Sequence, residues 1–444
     1  MKLTINRTLA LAASMAVCSA AFALPEIDGT MNDVNYGSPF GTQMNATGFG
    51  NSNLGQMTWA NGSEIDQLFL AASGQDLYVG VAGNMESNYN AFVLFFDCQP
   101  GGQNQLLAGQ PGNDFNFLGN MTADGAGLTF DTGFDADIVM NFKGGDNGSG
   151  AYQMVGNYFV VGNASGYPMP SGWMGFHDNS VGYFAGGDGD YGVTAIVNNS
   201  NTAGVGDNGG NAWNSGGADS GAGVLTGLEA QIPLSLLGPD ACDVKMFVVL
   251  TGSGGDYFSN QMIPSLDGTY GNLSFLFGNA PFVNFQAISG NQYITILPSV
   301  SGNIVFSDVS VAPTTAKFAY YQGGNLVMEK TGSVDANGNY KVCGPIRGGQ
   351  YDVLISGSTF LAKKITIDTT NGAVSGFNVT LINGDVDGDN EIGGSDLSEL
   401  SAAFLTAVGD EGYSENADLD KDGEVGGSDL SIISQNFLVS GDTP

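Results

Sequence analysis

Histidine is nearly absent from this chain of 444 residues: His177 stands alone. A serine nucleophile needs an aligned histidine and a carboxylate, and a zinc centre built on imidazoles needs more than one. No G-x-S-x-G elbow occurs either, so triad hydrolases and zinc enzymes are disfavoured. His177, within Phe176-His177-Asp178, is expected to be a loop residue bonded to its neighbours. Basic residues are scarce too, 11 against 44 acids, giving a formal charge of −33. That balance makes nucleic acid and anionic membranes poor partners, and no nucleic acid partner is expected. Past the N-terminal region no stretch approaches the roughly 18 apolar residues that span a bilayer, so no direct membrane insertion is expected.

The N-terminus has the layout of a secretory signal peptide. Lys2 and Arg7 precede an apolar run from Leu9 to Ala21, and Ala21-Phe22-Ala23 reads as the cleavage site. The mature chain then starts at Leu24, and the protein is expected to be secreted, outside the cell or on its surface. Val17 before Cys18 is too large for the usual lipobox, which argues against a lipid anchor. Removing residues 1–23 takes two basic residues and no acids, so the mature charge is 9 − 44 = −35. Cysteine is sparse as well. Cys98, Cys242 and Cys343 remain, and the first two sit at the ends of apolar runs. A Cys98–Cys242 disulfide is one outcome in an oxidising compartment, leaving Cys343 as an unpaired core residue.

Glycine is abundant, 70 residues, and charge is unevenly spread. Residues 24–289 hold 24 acids and two lysines, 290–382 five acids and six basic residues, and 383–444 fifteen acids and one lysine. Three zones suggest a large domain over 24–288, a small one over 289–382 and a terminal module over 383–444. Short β-branched and aromatic runs between glycine-rich and asparagine-rich loops make the first two β. The clearest hairpin is Leu68–Leu70, a turn at Ser73–Asp76, and Leu77–Val81. The fold class is thus mainly β: a large β-sandwich, a small immunoglobulin-like or prealbumin-like β-sandwich, and a small α-helical module.

That module carries the strongest motif. Asp385, Asp387, Asp389 and Asp396 occupy positions 1, 3, 5 and 12 of one loop, and Asp418, Asp420, Asp422 and Asp429 repeat them 33 residues on, 418 − 385. Calcium takes six to eight oxygens, and this spacing wraps a loop around it, with the position-7 residues Glu391 and Glu424 supplying carbonyls. Two calcium ions are expected. Position 6 must turn sharply, which Gly423 does freely and Asn390 tolerates. Ile392 and Val425 are placed to pair between the loops. A short amphipathic helix should follow each loop, with Leu397, Leu400 and Phe404 matched by Leu430, Ile433 and Phe437 in stripes that face one another.

Aspartate at position 12, and entry into the first loop from a strand (Val379, Leu381), separate this pattern from a standard EF-hand. It resembles a type I dockerin over residues 383–442. The resemblance implies a cohesin-like partner domain, recognised through positions 10 and 11: Gly394, Ser395, Gly427 and Ser428. Their identity in both halves implies a near two-fold face that binds in either orientation. Glu26-Ile-Asp-Gly29, Asp76-Leu-Tyr-Val-Gly80 and Asn90–Asp97 are similar to the opening of DOMON-type sandwiches and family 9 carbohydrate-binding modules, which implies ligand binding with polysaccharide as one ligand. Trp173 and Trp213, both in glycine-rich turns, are the candidates for stacking on a sugar. Gly338-Asn-Tyr340 through Gly349–Val353 resembles the carboxypeptidase-regulatory or prealbumin-like fold, implying a spacer. Asp188-Gly-Asp190 is read as an ordinary solvated turn. The reading is a secreted, non-catalytic assembly protein. Its alternative is an extracellular glycoside hydrolase carrying a dockerin, which needs two acids converging in one cleft. In a third reading the tail folds against its own chain.

Overall fold

Both strands of the first hairpin, Glu64–Ala72 and Asp76–Asn84, are buried on both faces. Leu68, Leu70, Val79 and Val81 point into a central core, while Phe69, Ala71, Tyr78 and Ala82 meet Ile27, Met31 and Tyr36 of the N-terminal segment. That double burial explains why the sequence reads as apolar runs more than as alternation. The computed structural model describes residues 24–444 other than 48, 50–62, 74, 113–115, 124, 179–183, 202–219, 239–240, 269 and 275–278. The expected leader and Trp213 lie outside the described residues.

The hairpin belongs to a five-stranded sheet in the order 41–42, 64–72, 76–84, 227–233, 194–197. A larger sheet runs 185–186, 172–177, 152–160, 138–146, 88–97, 244–251, 258–263, with 294–296 also pairing with 244–251. Side chains of both sheets share one core, Leu68, Val79 and Leu228 against Phe92, Phe96, Met140 and Val248, so the two sheets form a sandwich. The outer face of the larger sheet is not left to solvent. Val93, Phe95, Val139, Phe247 and Val249 are covered by Leu106, Phe117, Phe130, Phe134 and Phe285, carried on loops and a small sheet over 105–107, 122–123 and 126–129. Phe95 and Phe247 stack at 4.7 Å within it.

A second, smaller sandwich follows. Strands 339–343, 299–306 and 379–381 face strands 325–333, 315–322, 350–356 and 363–368 across a core of Val300, Phe318, Tyr320, Tyr340, Val353 and Leu381. The terminal segment adds two helices, α1 (Gly394–Ala402) and α2 (Gly427–Asn436). The chain is therefore mainly β with a small helical module.

The Cys98–Cys242 bridge left open by the sequence does not form. Cys242 bonds Cys343, and Cys98 is buried without a bridge, its sulfur 3.9 Å from the Tyr167 hydroxyl. The reason lies in one continuous segment. Ile296 pairs with Val244, and three residues on Ser299 pairs with Cys343, so the chain passes from the large sandwich to the small one along a path that brings Cys242 and Cys343 together. Asp243 caps the passage, accepting from the Ser299 N–H at 2.7 Å and its hydroxyl at 2.7 Å. His177 also departs from its expected loop: it ends strand Gly172–His177, paired with Met154, its ring 4.7 Å from Phe184.

Candidate metal centre

Each acidic loop closes on its own first aspartate. The Gly388 and Asn390 N–H groups donate to the two carboxylate oxygens of Asp385 at 2.8 and 3.0 Å, and the Gly423 N–H donates to Asp418 at 3.0 Å. Successive side chains turn the backbone in the same sense: Asp387 accepts from Asp389 N–H at 3.1 Å and Asp389 from Glu391 N–H at 2.9 Å. Asp420 and Asp422 repeat this at 3.1 and 2.9 Å. Position 6 is left-handed in both loops, Asn390 at φ 68° and Gly423 at φ 98°.

Position 12 starts the helix. Asp396 accepts from Val386 and Asp387 N–H through one oxygen, 2.6 and 3.2 Å, and from Gly393 N–H through the other, 2.7 Å. Asp429 makes the same three bonds to Leu419, Asp420 and Gly426 at 2.7, 3.2 and 2.7 Å. Each carboxylate thereby ties the start of its loop to the N-terminus of the helix that follows, where the helix dipole favours negative charge.

The carboxylates converge in two groups. Asp385, Asp387 and Asp396 bring ligand oxygens within 4.8 Å of one another, as do Asp418, Asp420 and Asp422. Asp389 lies outside the first group and Asp429 outside the second, and the Glu391 and Glu424 side chains are exposed. Burial pushes the Asp385 carboxyl up to about 6 against the backbone bonds that lower it, with the like charges of Asp396 and Asp389 adding to the rise. Burial likewise raises Asp429. One oxygen of buried Asp418 has no hydrogen-bond partner, while its other accepts the Tyr413 hydroxyl at 2.8 Å. Crowded carboxylates, an unmet buried acceptor and a donor set made only of oxygen fit a hard cation.

The two halves interlock crosswise. Ile392 and Val425 meet in one apolar cluster with Leu400 and Ile433, but their backbones do not pair as expected. Ile392 bonds Leu438 and Val439 beyond α2, whereas Val425 pairs with Thr406 beyond α1. Each loop thus strands against the exit of the other helix. The expected stripes also split. Leu400 and Ile433 are buried, whereas α1 ends at Ala402 and α2 at Asn436, so Phe404 and Phe437 fall past the helices. Exposure repeats at the offset of 33: Leu397 and Leu430 at 37 and 36%, Phe404 and Phe437 at 39 and 43%, Leu405 and Leu438 at 82 and 81%. Gly394, Ser395, Gly427 and Ser428 are exposed at the two helix starts.

Residues 383–438 match the family model described as the dockerin type I domain. The C-terminal module is a type I dockerin. Dockerins bind calcium in general, and a dockerin implies assembly on a cohesin outside the cell. A type II cohesin–X–dockerin complex from Acetivibrio cellulolyticus is similar at 25% identity over 32% of this chain and 97% of that one, TM-score 0.27. A backbone pilin of Streptococcus pyogenes is similar at 8% identity over 67% of this chain and 47% of that one, and the major pilin subunit of Bacillus cereus at 9% over 70% and 66%, both with TM-score 0.17. At such TM-scores the superpositions add no weight, and the assignment rests on the family match and the repeated loops. No curated protein matches the chain.

Sequence reasoning missed how the dockerin is held. Asn390, read as a tolerated left-handed residue, also accepts the Ala362 N–H at 2.8 Å and donates to the Asp442 carbonyl at 3.1 Å. Asp442 accepts from Lys364 N–H at 2.9 Å and pairs with Lys363 at 3.0 Å. Leu361 of the small sandwich sits in the dockerin core, and buried Asn383 accepts from Thr359 at 2.9 Å and donates to the Leu419 carbonyl at 2.7 Å. In the large sandwich, Trp173 stacks on exposed Phe176 at 5.9 Å, and the Trp173 backbone N–H donates to Asp188 at 2.7 Å. Asp190 caps its own turn through Gly192 N–H at 3.0 Å. Beside this edge an open cleft of about 900 Å³ is lined by Asp76, Asp190, Gln75 and Gln231.

Proposed function

We propose that this chain is a secreted assembly protein whose dockerin takes two calcium ions and docks on a cohesin through a duplicated face, in either of two orientations. Asp385, Asp387, Asp389 and Asp396 would hold one ion with the Glu391 carbonyl, and Asp418, Asp420, Asp422 and Asp429 the other with the Glu424 carbonyl. The observation that carries the docking reading is the matched exposure of Leu397, Phe404 and Leu405 with Leu430, Phe437 and Leu438. Apolar side chains left outside at identical places in both halves, beside exposed Ser395 and Ser428, present one partner surface twice. The large sandwich is read as a binding rather than a catalytic domain. The Trp173–Phe176 pair beside a cleft of mixed lining, with Asp76, Asp190, Gln75 and Gln231 among its residues, supports a carbohydrate ligand there.

Calcium titration of the full chain by calorimetry, with circular dichroism in parallel, tests the metal reading. Two ions lost together in the Asp385→Ala, Asp418→Ala double variant are expected, and a far-ultraviolet spectrum unmoved by chelation overturns the assignment. Replacing Ser395 and Ser428 by arginine is expected to abolish capture by an immobilised cohesin while calcium uptake stays intact. Loss of calcium in that variant marks the serines as structural instead.

A further inference from the structure

The large sandwich contains a further cluster of buried carboxylates and amides, distant in sequence from the dockerin loops. Strand Glu64–Ala72 is irregular between Ile65 and Gln67, and there Glu64 and Asp66 converge on a single side chain. The Asn201 amide donates to Glu64 Oε1 and to Asp66 Oδ2, each at 3.1 Å. Asn84, the cross-strand partner of Glu64, donates to the same Glu64 Oε1 at 2.9 Å and to the Asn201 carbonyl at 3.3 Å. All the amide protons therefore point at one set of oxygens. Glu64 Oε2 and Asn84 Oδ1 are left buried with no hydrogen-bond partner, on residues 1% and 0% exposed.

A buried acceptor needs a donor or a cation, and two buried carboxylates side by side need charge compensation. Protein cations are in short supply here. Residues 24–289 contain two lysines and no arginine, and both lysines rise from the other sheet, Lys245 paired with Asp97 at 2.8 Å and Lys143 over the Phe117 ring.

We propose that this cluster is a divalent-cation site of calcium type, with Glu64, Asp66 and the side-chain oxygen of Asn84 as protein ligands. Oxygen donors alone, without histidine or cysteine, select a hard cation. The amides of Asn84 and Asn201 orient the carboxylates as supporting residues do around bound metals. An ion there ties the hairpin 64–84 to the segment at Asn201, closing that end of the five-stranded sheet.

A proton on Glu64 is the competing occupant, since burial and the charge of Asp66 both hold that carboxyl above its ordinary range. Bound calcium per chain, measured by atomic emission after equilibrium dialysis of the full-length protein, separates the two. A variant with both dockerin loops disabled, Asp385→Ala, Asp387→Ala, Asp418→Ala and Asp420→Ala, is expected to retain one ion, and adding Glu64→Gln to remove it. A loop-disabled chain that retains none overturns the proposal whether or not Glu64→Gln folds. Asn84→Asp supplies an independent reading. With a cation present, the added charge is compensated and calcium raises the melting temperature of the variant, even though the Asn84 donor to Glu64 is lost. Without one, a third carboxylate against Glu64 lowers the melting temperature with no response to calcium, which also overturns the proposal. The retained ion is counted in a background without dockerin loops, so the fate of the two terminal ions does not affect the result.

Discussion

Replacing both Cys242 and Cys343 by alanine should loosen two sandwiches at once. The bridged residues lie 101 positions apart, and the enclosed chain contains the last strands of the large sandwich and the first four of the small one. In the chain-entropy account a loop of that length constrains the unfolded state by about 4.7 kcal/mol, and bridges of this kind deliver roughly 2–5 kcal/mol when removed. For cooperative units of 150–250 residues, 1 kcal/mol shifts melting by about 2–4 °C, so a loss of about 4 kcal/mol lowers it by roughly 8–16 °C. Scanning calorimetry of wild type and variant, with and without reductant, reads the shift. Wild type in reductant should fall to the level of the variant, and the variant should ignore reductant. Cys98→Ala is the control, because Cys98 lies outside the bridge and should leave the reductant effect in place. Titrating thiols in denaturant without reductant should find one per chain that starts at Leu24. Three thiols, or a melting temperature indifferent to reductant, refutes the pairing and with it the path of residues 294–299 between the sandwiches.

Glu229 accepts from the Asp28 and Gly29 N–H groups at 2.9 Å each and from the Tyr36 hydroxyl at 2.6 Å, so Glu229→Ala leaves three donors unmet and should cost about 3 kcal/mol or more in urea unfolding. Burial raises the Glu229 carboxyl above its ordinary value, so the protonated form favours folding. That contribution is complete below the unfolded-state value and fades as pH rises through the folded one, and Glu229→Gln should flatten this part of the pH–stability curve. Gly423→Ala forces a side chain into the left-handed region at φ 98° and should destabilise the second loop by about 1–2 kcal/mol, read as weaker calcium uptake there. Asn390→Gly keeps the turn but loses the bonds to Ala362 and Asp442, so it should leave calcium affinity near wild type while lowering dockerin melting by the equivalent of about 1–2 kcal/mol.

The dockerin was legible because its information is local. Ligand spacing, left-handed position 6 and helix start all fall within twelve residues, and a second copy checks the first. Leu400 and Ile433 were placed correctly by periodicity, but Phe404 and Phe437 were not, since spacing alone does not reveal that the chain leaves helical geometry at Ala403 and Phe437. The hairpin 64–84 was visible from its turn residues. The cover over the larger sheet was not. Phe117, Phe130 and Phe134 sit in glycine-rich, loop-like sequence, and their burial depends on Phe95, Phe159 and Phe247, carried on separate strands of the larger sheet. Cys242 with Cys343, and Glu64 with Asn201, are likewise products of topology. Alternating acids at the start of a hairpin strand, Glu64-Ile-Asp66, are the one local hint of the buried cluster.

Duplication and attachment make opposite demands on the dockerin. On the docking reading proposed above, a face that offers Leu397, Phe404 and Leu405 as it offers Leu430, Phe437 and Leu438 would present a partner with two equivalent ways to bind. The small sandwich removes that equivalence, because only one loop has a side chain at position 6 to bond Ala362 and Asp442, and Gly423 has none. The second loop meets the sandwich through its backbone instead, the Asp420 carbonyl accepting the Ser310 N–H at 2.7 Å. Asn390, with Asp442 and Leu361, thus makes the two halves of the module unequal. A cohesin bound in one orientation has the small sandwich beside its first-loop contacts, and in the other beside its second-loop contacts. Any preference between the two must then come from the sandwich flanks rather than from the duplicated face. Charge reversal at Lys363 and Lys364, which flank Asp442, should shift the ratio of the two orientations while leaving the sum of their affinities nearly unchanged. Cross-linking from cysteines placed at Ser395 or Ser428 reads that ratio, and a ratio that does not move places the preference in the duplicated face after all.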